Sequence, residues 1–164
     1  MSRREKEITG YEEIKYILDN GRVVHLGLSD DGIPYVVPMN YGYCFENEKP
    51  VLFVHGALKG RKLDIIRKNP ACCAQIECDV SLFSGKVACL YGCTYCSFTG
   101  FGKAKILDAP DEKMKALSLL MKTQSGKDFE FNEKLVSVVS VIRIDIEEYS
   151  AKYRPVPEDR EIIG

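Results

Sequence analysis

The segments of this sequence that are typical of β-strands mostly follow one another through short turns, and they do not alternate with helices. Six strands are predicted, over residues 22–28, 35–44, 51–55, 71–77, 94–107 and 142–146. Four helices are predicted, after Thr9, over residues 61–68, from Pro110 and over residues 132–135. A Rossmann sheet requires strands and helices to alternate, so the pattern argues against that fold. It predicts a six-stranded antiparallel β-barrel of the α+β class with flanking helices.

Local signals add detail to the first third of the chain. Thr9 and Glu12 have the spacing of a capping box, which predicts a helix start at Thr9. Residues 35–44 alternate between two faces without a break and are therefore interpreted as one strand. With the strands before and after it, this segment predicts a three-stranded antiparallel meander.

Length, charge and hydropathy limit the classes of protein to consider. The chain has 164 residues, which predicts one domain over residues 1–164, with residues 149–164 as an extended C-terminal tail. The formal net charge is −1, with 23 basic and 24 acidic side chains, whereas nucleic-acid-binding domains usually carry a basic excess. No apolar run approaches the roughly 20 residues that span a bilayer, and residues 1–9 lack the apolar core of a signal peptide. We therefore expect a cytoplasmic protein with neither nucleic acid nor a membrane as partner.

Seven cysteines are present, and an odd number in a cytosolic chain argues against a disulfide framework. Cys93 and Cys96 have the C-x-x-C spacing of redox and zinc sites. A thioredoxin-like site needs a βαβ unit around the two cysteines, and a zinc site needs a second suitably spaced pair of ligands. The sequence shows neither the βαβ pattern nor the second pair. The prediction is free thiols and no metal site.

The segment most suggestive of function is His55-Gly-Ala-Leu-Lys-Gly-Arg-Lys62, which we call the cationic loop. It joins a predicted strand to a predicted helix, whose first N–H groups and partial positive charge favour an anion. Gly56 and Gly60 permit close approach of the backbone to a ligand, and Arg61 and Lys62 add positive charge. The segment lacks the order of a Walker A loop, so a bound phosphate group of a cofactor is favoured over a hydrolysed triphosphate. The alternative is an ordinary solvated first turn.

Two further features have open interpretations. His55 is either a structural residue at the end of a strand or a cofactor contact, and it is a weak candidate for a catalytic proton donor. His25, within the first predicted strand, is interpreted as structural. The tyrosines at positions 35, 41 and 43 either stack on a planar cofactor or pack in the barrel or a dimer interface.

Three segments together resemble the FMN-binding split-barrel flavoproteins of the pyridoxamine 5′-phosphate oxidase-like superfamily, and within it the nitroimidazole-resistance (Nim-type) proteins. The segments are GIPYVVPMNYGY at residues 32–43, LFVHGALKGRKL at residues 52–63 and CSFTGFGK at residues 96–103. They occur in the family's order, and the resemblance covers roughly residues 8–152. True pyridoxamine phosphate oxidases carry a C-terminal tryptophan, and this chain has no tryptophan, so oxidation of vitamin B6 is not expected.

The resemblance implies a split barrel that forms a homodimer with FMN at the subunit interface. By position, one stretch of residues lines the isoalloxazine ring, largely through backbone groups: Val37, Pro38, Met39 and Asn40. A second stretch lies at the ribityl chain and phosphate: His55, Gly56, Gly60, Arg61 and Lys62. Ser97 approaches the flavin from the partner subunit.

The resemblance also implies an activity. Reduced FMN is expected to pass electrons to a small planar acceptor such as a nitroaromatic, which makes the protein an FMN-dependent oxidoreductase. A non-catalytic protein that binds or stores FMN or haem is the alternative.

Overall fold

The computed structural model describes residues 6–163, so residues 1–5 and 164 of the predicted domain lie outside the described residues. The described part contains four α-helices: α1 (Tyr11–Asn20), α2 (Arg61–Lys68), α3 (Pro110–Ser125) and α4 (Glu133–Ser137). It also contains nine strands: β1 (Lys6–Ile8), β2 (Val24–Asp30), β3 (Ile33–Met39), β4 (Tyr41–Glu46), β5 (Lys49–Gly56), β6 (Ala71–Phe83), β7 (Gly92–Leu107), β8 (Ser140–Arg154) and β9 (Ile162–Ile163). None of the helices in residues 6–163 combines the length and hydropathy needed to cross a bilayer.

Every strand pairing is antiparallel, and the main order is β3-β2-β6-β7-β8-β5-β4, with β1 added to β8 and β9 to β6. The antiparallel α+β architecture is therefore confirmed. The predicted count of six strands is not, because nine are found in the described residues. Two of the additional strands contain only three and two residues, too few for a period of two to be recognised in a sequence. The first six residues of the predicted tail, 149–154, continue β8.

The predicted meander is wrong at one step. Residues 35–44 are divided at Asn40 between β3, which pairs with β2, and β4, which pairs with β5. These two strands lie at opposite ends of the main order, and no pairing joins them among the described residues. Pro34 and Pro38 cannot donate ladder hydrogen bonds, which suits β3 to an end position.

The main core lies between the sheet and the buried face of α1, which carries Ile14, Ile17 and Leu18. Tyr41 is fully buried here and donates its hydroxyl to the Leu18 carbonyl over 2.8 Å. The predicted capping box is wrong, because Gly10 is the N-cap and no side chain caps the helix. Strand β1 pairs with β8 as far as Ile8 and keeps the chain extended, so the helix begins later than predicted.

A second core lies beneath α3, where Leu117 packs with residues of β5 and β8. The backbones of β7 and β8 approach closely at Gly102, where a Cβ atom would clash with the Asp145 carbonyl oxygen at the shift in the β7–β8 register. The two cores fix the ends of β5 and α2 on either side of the cationic loop.

Candidate functional site

The cationic loop connects the end of β5 to the start of α2 and is anchored on β8. His55 and Gly56 pair with Val141 and Ser140. The buried Ser140 hydroxyl donates to the Ala57 carbonyl over 2.8 Å. The start of the loop is therefore held by the sheet, while residues 57–61 are exposed.

The first turn of α2 has free backbone donors. Gly60 is the N-cap, with φ 146° and ψ 161°, a conformation that favours glycine. Its carbonyl accepts from the N–H groups of Leu63 and Asp64. The N–H groups of Arg61 and Lys62 have no acceptor within residues 6–163. The turn can therefore offer at least two N–H groups to an anion.

Lys62 curls back over the end of β5. A Cβ atom on Gly56 would lie 2.9 Å from Lys62 Nζ and 3.9 Å from Met39 Cε. Lys62 forms no ion pair and no side-chain hydrogen bond with any residue in the described part of the chain. The fold thus brings Met39, Gly56 and Lys62 together, with one ammonium group lacking an anionic partner.

Arg61 differs from Lys62 because it already has two neighbours. Its guanidinium lies 3.2 Å from Asp30 Oδ2 at the β2–β3 turn, and 5.0 Å from the ring centroid of Tyr35. Lys68, at the other end of α2, lies 3.8 Å from Asp31 of the same turn. An anion at the cationic loop would have to share Arg61 with Asp30.

The four residues expected to line a flavin ring lie at the end of β3 and directly after it. Val37 is half-buried and Met39 buried, whereas Pro38 and Asn40 are exposed. The Asn40 side chain donates to the Arg22 carbonyl over 3.1 Å, away from Lys62. The edge of β3 that does not face β2 pairs with no other strand of residues 6–163, so backbone groups there are free to meet a ligand.

Ser97 is not brought to the cationic loop within one chain. It is buried on β7, opposite Lys152 of β8, whereas His55 lies opposite Val141 of the same strand. Val141 and Lys152 are eleven residues apart on β8, a separation of about 35 Å along an extended strand. Ser97 and the cationic loop therefore lie beside different ends of β8.

The two histidines have different surroundings. His25 Nδ1 lies 3.0 Å from Gln75 Oε1, a contact that supports the structural interpretation. His55 is exposed and makes no hydrogen bond or ion pair with the described residues. Its imidazole is free to contact a ligand.

Of the three tyrosines considered for a cofactor contact, two pack away from the cationic loop and one lies beside it. Tyr41 is a core residue, and burial raises its pKa above the ordinary value for a phenol. Tyr43 is half-buried, and burial together with its hydrogen bond to Asp19 raises its pKa as well. Only Tyr35, beneath Arg61, adjoins the cationic loop. Tyr35 was one of the tyrosines considered for a cofactor contact, whereas the position of Asp30 beside this loop had no signal in the sequence.

Sequence reasoning also missed a group that we call the thiol cluster: Cys78, Asp79 and Cys96. Their sulfur and carboxylate atoms lie within 4.8 Å of one another. Burial, and after it the Asp79 carboxylate, raises the pKa of Cys78 to about 12 and also raises that of Cys96. Both thiols are therefore protonated near neutral pH and are poor nucleophiles.

Comparisons with known proteins agree with this architecture. A protein from Bacteroides thetaiotaomicron, described as a candidate 5-nitroimidazole antibiotic resistance protein, has 25% identity and a TM-score of 0.76 over 93% of this chain and 89% of that one. An FAD-binding protein from Mesorhizobium loti has 25% identity and a TM-score of 0.65 over 92% of this chain and 99% of that one. An FAD- and haem-binding protein from Mycobacterium smegmatis shares the fold, with 18% identity and a TM-score of 0.76 over 96% of this chain and 77% of that one.

The sequence comparisons give one match. No curated protein sequence matches the chain. The profile of the family described as pyridoxamine 5′-phosphate oxidase matches residues 11–153, which include both β3 and the cationic loop. The chain therefore belongs to the pyridoxamine 5′-phosphate oxidase family, within the split-barrel flavoprotein superfamily.

Proposed function

We propose that this protein is a homodimeric FMN-dependent oxidoreductase that transfers electrons to a small planar acceptor such as a nitroaromatic. The observation that carries the proposal is the Lys62 ammonium. It is folded against Gly56, has no anionic partner in residues 6–163, and adjoins two free N–H groups of α2. These groups fit a phosphate dianion, and the chain belongs to a family named for an enzyme that acts on a phosphorylated vitamin.

The phosphate contacts follow from this geometry. Lys62 supplies a point charge, and the N–H groups of Arg61 and Lys62 supply hydrogen bonds directed along the helix axis. Arg61 adds a second charge once its guanidinium is shared between the phosphate and Asp30, which lies 3.2 Å away. A charge-assisted contact of this kind contributes about 1.5–3 kcal/mol.

The ring would lie against the end of β3, over Val37, Pro38 and Met39. Met39 Cε is already close to Gly56, so the apolar end of β3 and the cationic loop form adjoining walls. Free N–H groups on the unpaired edge of β3 can stabilise negative charge at the ring. When bound, FMN supplies the electron-transfer chemistry, and the chain binds and orients it. The free imidazole of His55 would hold or deliver a proton beside it.

The outer face of the sheet supports the homodimer. Val36, Gly27, Cys73 and Phe101 lie opposite one another on four neighbouring strands, β3, β2, β6 and β7. Val36 is 61% exposed and Phe101 55% exposed. An apolar row of this kind suits an interface with a second copy. The second copy would also bring its own Ser97 towards the flavin.

The acceptor class rests on the Bacteroides relative described as a candidate nitroimidazole resistance protein, at 25% identity. The test is steady-state turnover of the FMN-loaded dimer with reduced nicotinamide as donor and a 5-nitroimidazole or a quinone as acceptor. We expect acceptor-dependent oxidation of the donor. FMN binding without turnover of either acceptor would make the protein a carrier, and a haem spectrum in place of a flavin spectrum would remove the oxidoreductase proposal.

The phosphate site is tested separately by titrating FMN into the chain and following the quenching of flavin fluorescence. Lys62→Ala should weaken binding by about 1.5–3 kcal/mol, roughly ten- to 150-fold. The control is Arg67→Ala at the far end of α2, where the side chain pairs with Asp64 of its own helix. Equal affinities of the two variants would contradict the assignment of Lys62.

A further inference from the structure

The thiol cluster lies in a second region of the molecule that the proposed flavin chemistry does not use. Cys78 and Cys96 are direct cross-strand partners on β6 and β7. A carboxylate oxygen of Asp79 lies beside their two sulfur atoms, and these three atoms are all within 4.8 Å of one another. Cys78 is buried, Cys96 half-buried and Asp79 exposed.

A β-bulge explains why the adjacent residues Cys78 and Asp79 reach the same point. Successive side chains of a regular strand point to opposite faces. Here the β6–β7 register shifts between Cys78 and Ser81, and Asp79 has a φ of 55°, in the left-handed region. Bulges of this kind redirect a side chain and are frequent beside functional sites.

Hydrogen bonds hold the bulge and the carboxylate in place. Thr94 Oγ1 donates to the Asp79 carbonyl over 2.8 Å and accepts from the Ser81 N–H over 3.1 Å. Tyr16 of α1 donates its hydroxyl to Asp79 Oδ2 over 3.0 Å, which orients the carboxylate from outside the cluster. Outer contacts of this kind are typical of metal ligands.

The surroundings of the cluster are acidic. The carboxylate of Glu13 lies near Cys96 and that of Glu77 near Cys78, and Glu77 Oε2 also lies 3.6 Å from His25 Nδ1. Asp79 forms no ion pair with any residue between 6 and 163. A cation would therefore offset charge that the described part of the chain leaves uncompensated.

We propose that Cys78, Asp79 and Cys96 bind a zinc-type divalent ion in tetrahedral geometry, with the fourth position open to the neighbouring cleft. Two thiolates and a carboxylate are ligands that zinc accepts. In a tetrahedral site with zinc-to-ligand distances of about 2.0–2.3 Å, the ligand atoms lie roughly 3.5–3.8 Å from one another. The three side chains need only small movements to reach this geometry. As the ion binds, the protons of the two thiols leave to solvent and the carboxylate keeps its charge.

The cleft gives the open position access from outside. It has a volume of about 370 Å³ and is lined by Cys96, by Glu12 and Glu13, and by isoleucine and tyrosine side chains of α1, β1 and β8. Three protein ligands and one exchangeable position are the arrangement of zinc sites that bind a further small ligand.

The C-x-x-C spacing is not part of this site. Cys93 and Cys96 both lie on the continuous strand β7, three residues apart, so their side chains point to opposite faces. Cys93 lies opposite Leu82, away from Asp79. Cys93→Ser is therefore a matched control for Cys96→Ser, with the same chemical change on the same strand.

The experiment is a calorimetric titration of zinc into the full-length, FMN-loaded protein kept reduced with a phosphine. We expect one ion per chain. Cys96→Ser should weaken binding at least about 100-fold, because removal of a ligand exceeds the 10–100-fold effect of an outer contact. Asp79→Asn should weaken it about tenfold or more while preserving the left-handed backbone, which asparagine tolerates. Cys93→Ser should bind zinc with unchanged affinity.

Three results would overturn the proposal. The first is a reduced wild-type protein that binds no zinc. The second is an affinity insensitive to Asp79→Asn, a substitution at an exposed position whose folding is checked by circular dichroism. The third is a native Cys78–Cys96 disulfide, found by mass analysis, in a protein that still binds no zinc after the disulfide is reduced. That result would make the two cysteines a redox pair.

Discussion

The cationic loop and the thiol cluster lie at opposite ends of β8, since His55 is opposite Val141 and Cys96 is opposite Tyr153. One presents an ammonium group and free N–H donors, and the other presents two thiols and a carboxylate. Lys62 in the first region and Asp79 in the second have no partner of opposite charge among the described residues. Unpaired polar groups held in place by the fold are the features that a ligand would satisfy.

The two regions differ in how they are built. The cationic loop is one continuous stretch, 55–62, so its charges and glycines are adjacent in the sequence as well as in space. The thiol cluster joins residues of two strands through their register and a single bulged residue, Asp79. A site of the first kind is visible in a sequence, and a site of the second kind becomes visible only in a structure.

The largest effect is expected at the cationic loop. Replacing Arg61 and Lys62 together by alanine should weaken FMN binding by about 2–4 kcal/mol, because two charge-assisted contacts are lost. The chain should still fold and dimerise, because both side chains are at least partly exposed. Titration of FMN and sedimentation measure the two properties. Unchanged FMN affinity in a folded dimer would remove the phosphate site from this loop.

The next effect concerns the thiol cluster and should be independent of the first. Zinc at 100 times its dissociation constant should raise the free energy of unfolding by about 2.7 kcal/mol, since only the folded chain joins the three ligands. Chemical unfolding of the reduced protein with and without zinc measures this increment. The same increment in the Arg61 and Lys62 double variant is expected, because distant sites act additively.

A smaller effect tests the contact between Lys62 and Gly56. Gly56→Ala places a Cβ atom 2.9 Å from Lys62 Nζ, so the flexible end of the lysine must move. We expect about 1 kcal/mol weaker FMN binding, roughly fivefold, with little change in stability. The same substitution made on a Lys62→Ala background should have no further effect. Additive losses would mean that Gly56 acts on FMN through something other than Lys62.

The smallest effect has the opposite sign. Asp30→Asn removes the carboxylate that holds Arg61 and should strengthen FMN binding by about 0.2–1 kcal/mol, the range of an exposed ion pair. FMN titration at low ionic strength is the measurement, since salt screens exposed charges. The matched control is Asp31→Asn, whose carboxylate faces Lys68 instead. Weaker binding after Asp30→Asn would mean that Asp30 positions Arg61 for the ligand.

Much of the fold follows from local signals. The bounds of α2 at Arg61 and Lys68 agree with the prediction, because a glycine precedes it and Asn69 and Pro70 end it. The short helix predicted over residues 132–135 also forms, over Glu133–Ser137, with the Asn132 side chain accepting from the Leu135 N–H as its N-cap. These elements are specified by residues within a few positions of their ends.

The errors arose where pairing between distant segments decides the structure. Residues 35–44 alternate as one strand, but β3 and β4 pair with different partners and separate at Asn40. The start of α1 moved from Thr9 because β1 pairs with a strand about 140 residues later. The bulge at Asp79 depends on Thr94 of the neighbouring strand. The residues of one segment, taken alone, give no indication of its contacts with a distant segment.

The central claim is that the chain holds FMN, and the most direct measurement is the absorbance spectrum of the purified protein with mass analysis of the ligand released on unfolding. We predict a flavin spectrum and release of FMN at one molecule per chain. A colourless protein that also fails to bind added FMN would contradict the account, and the free ammonium of Lys62 would then need another anion.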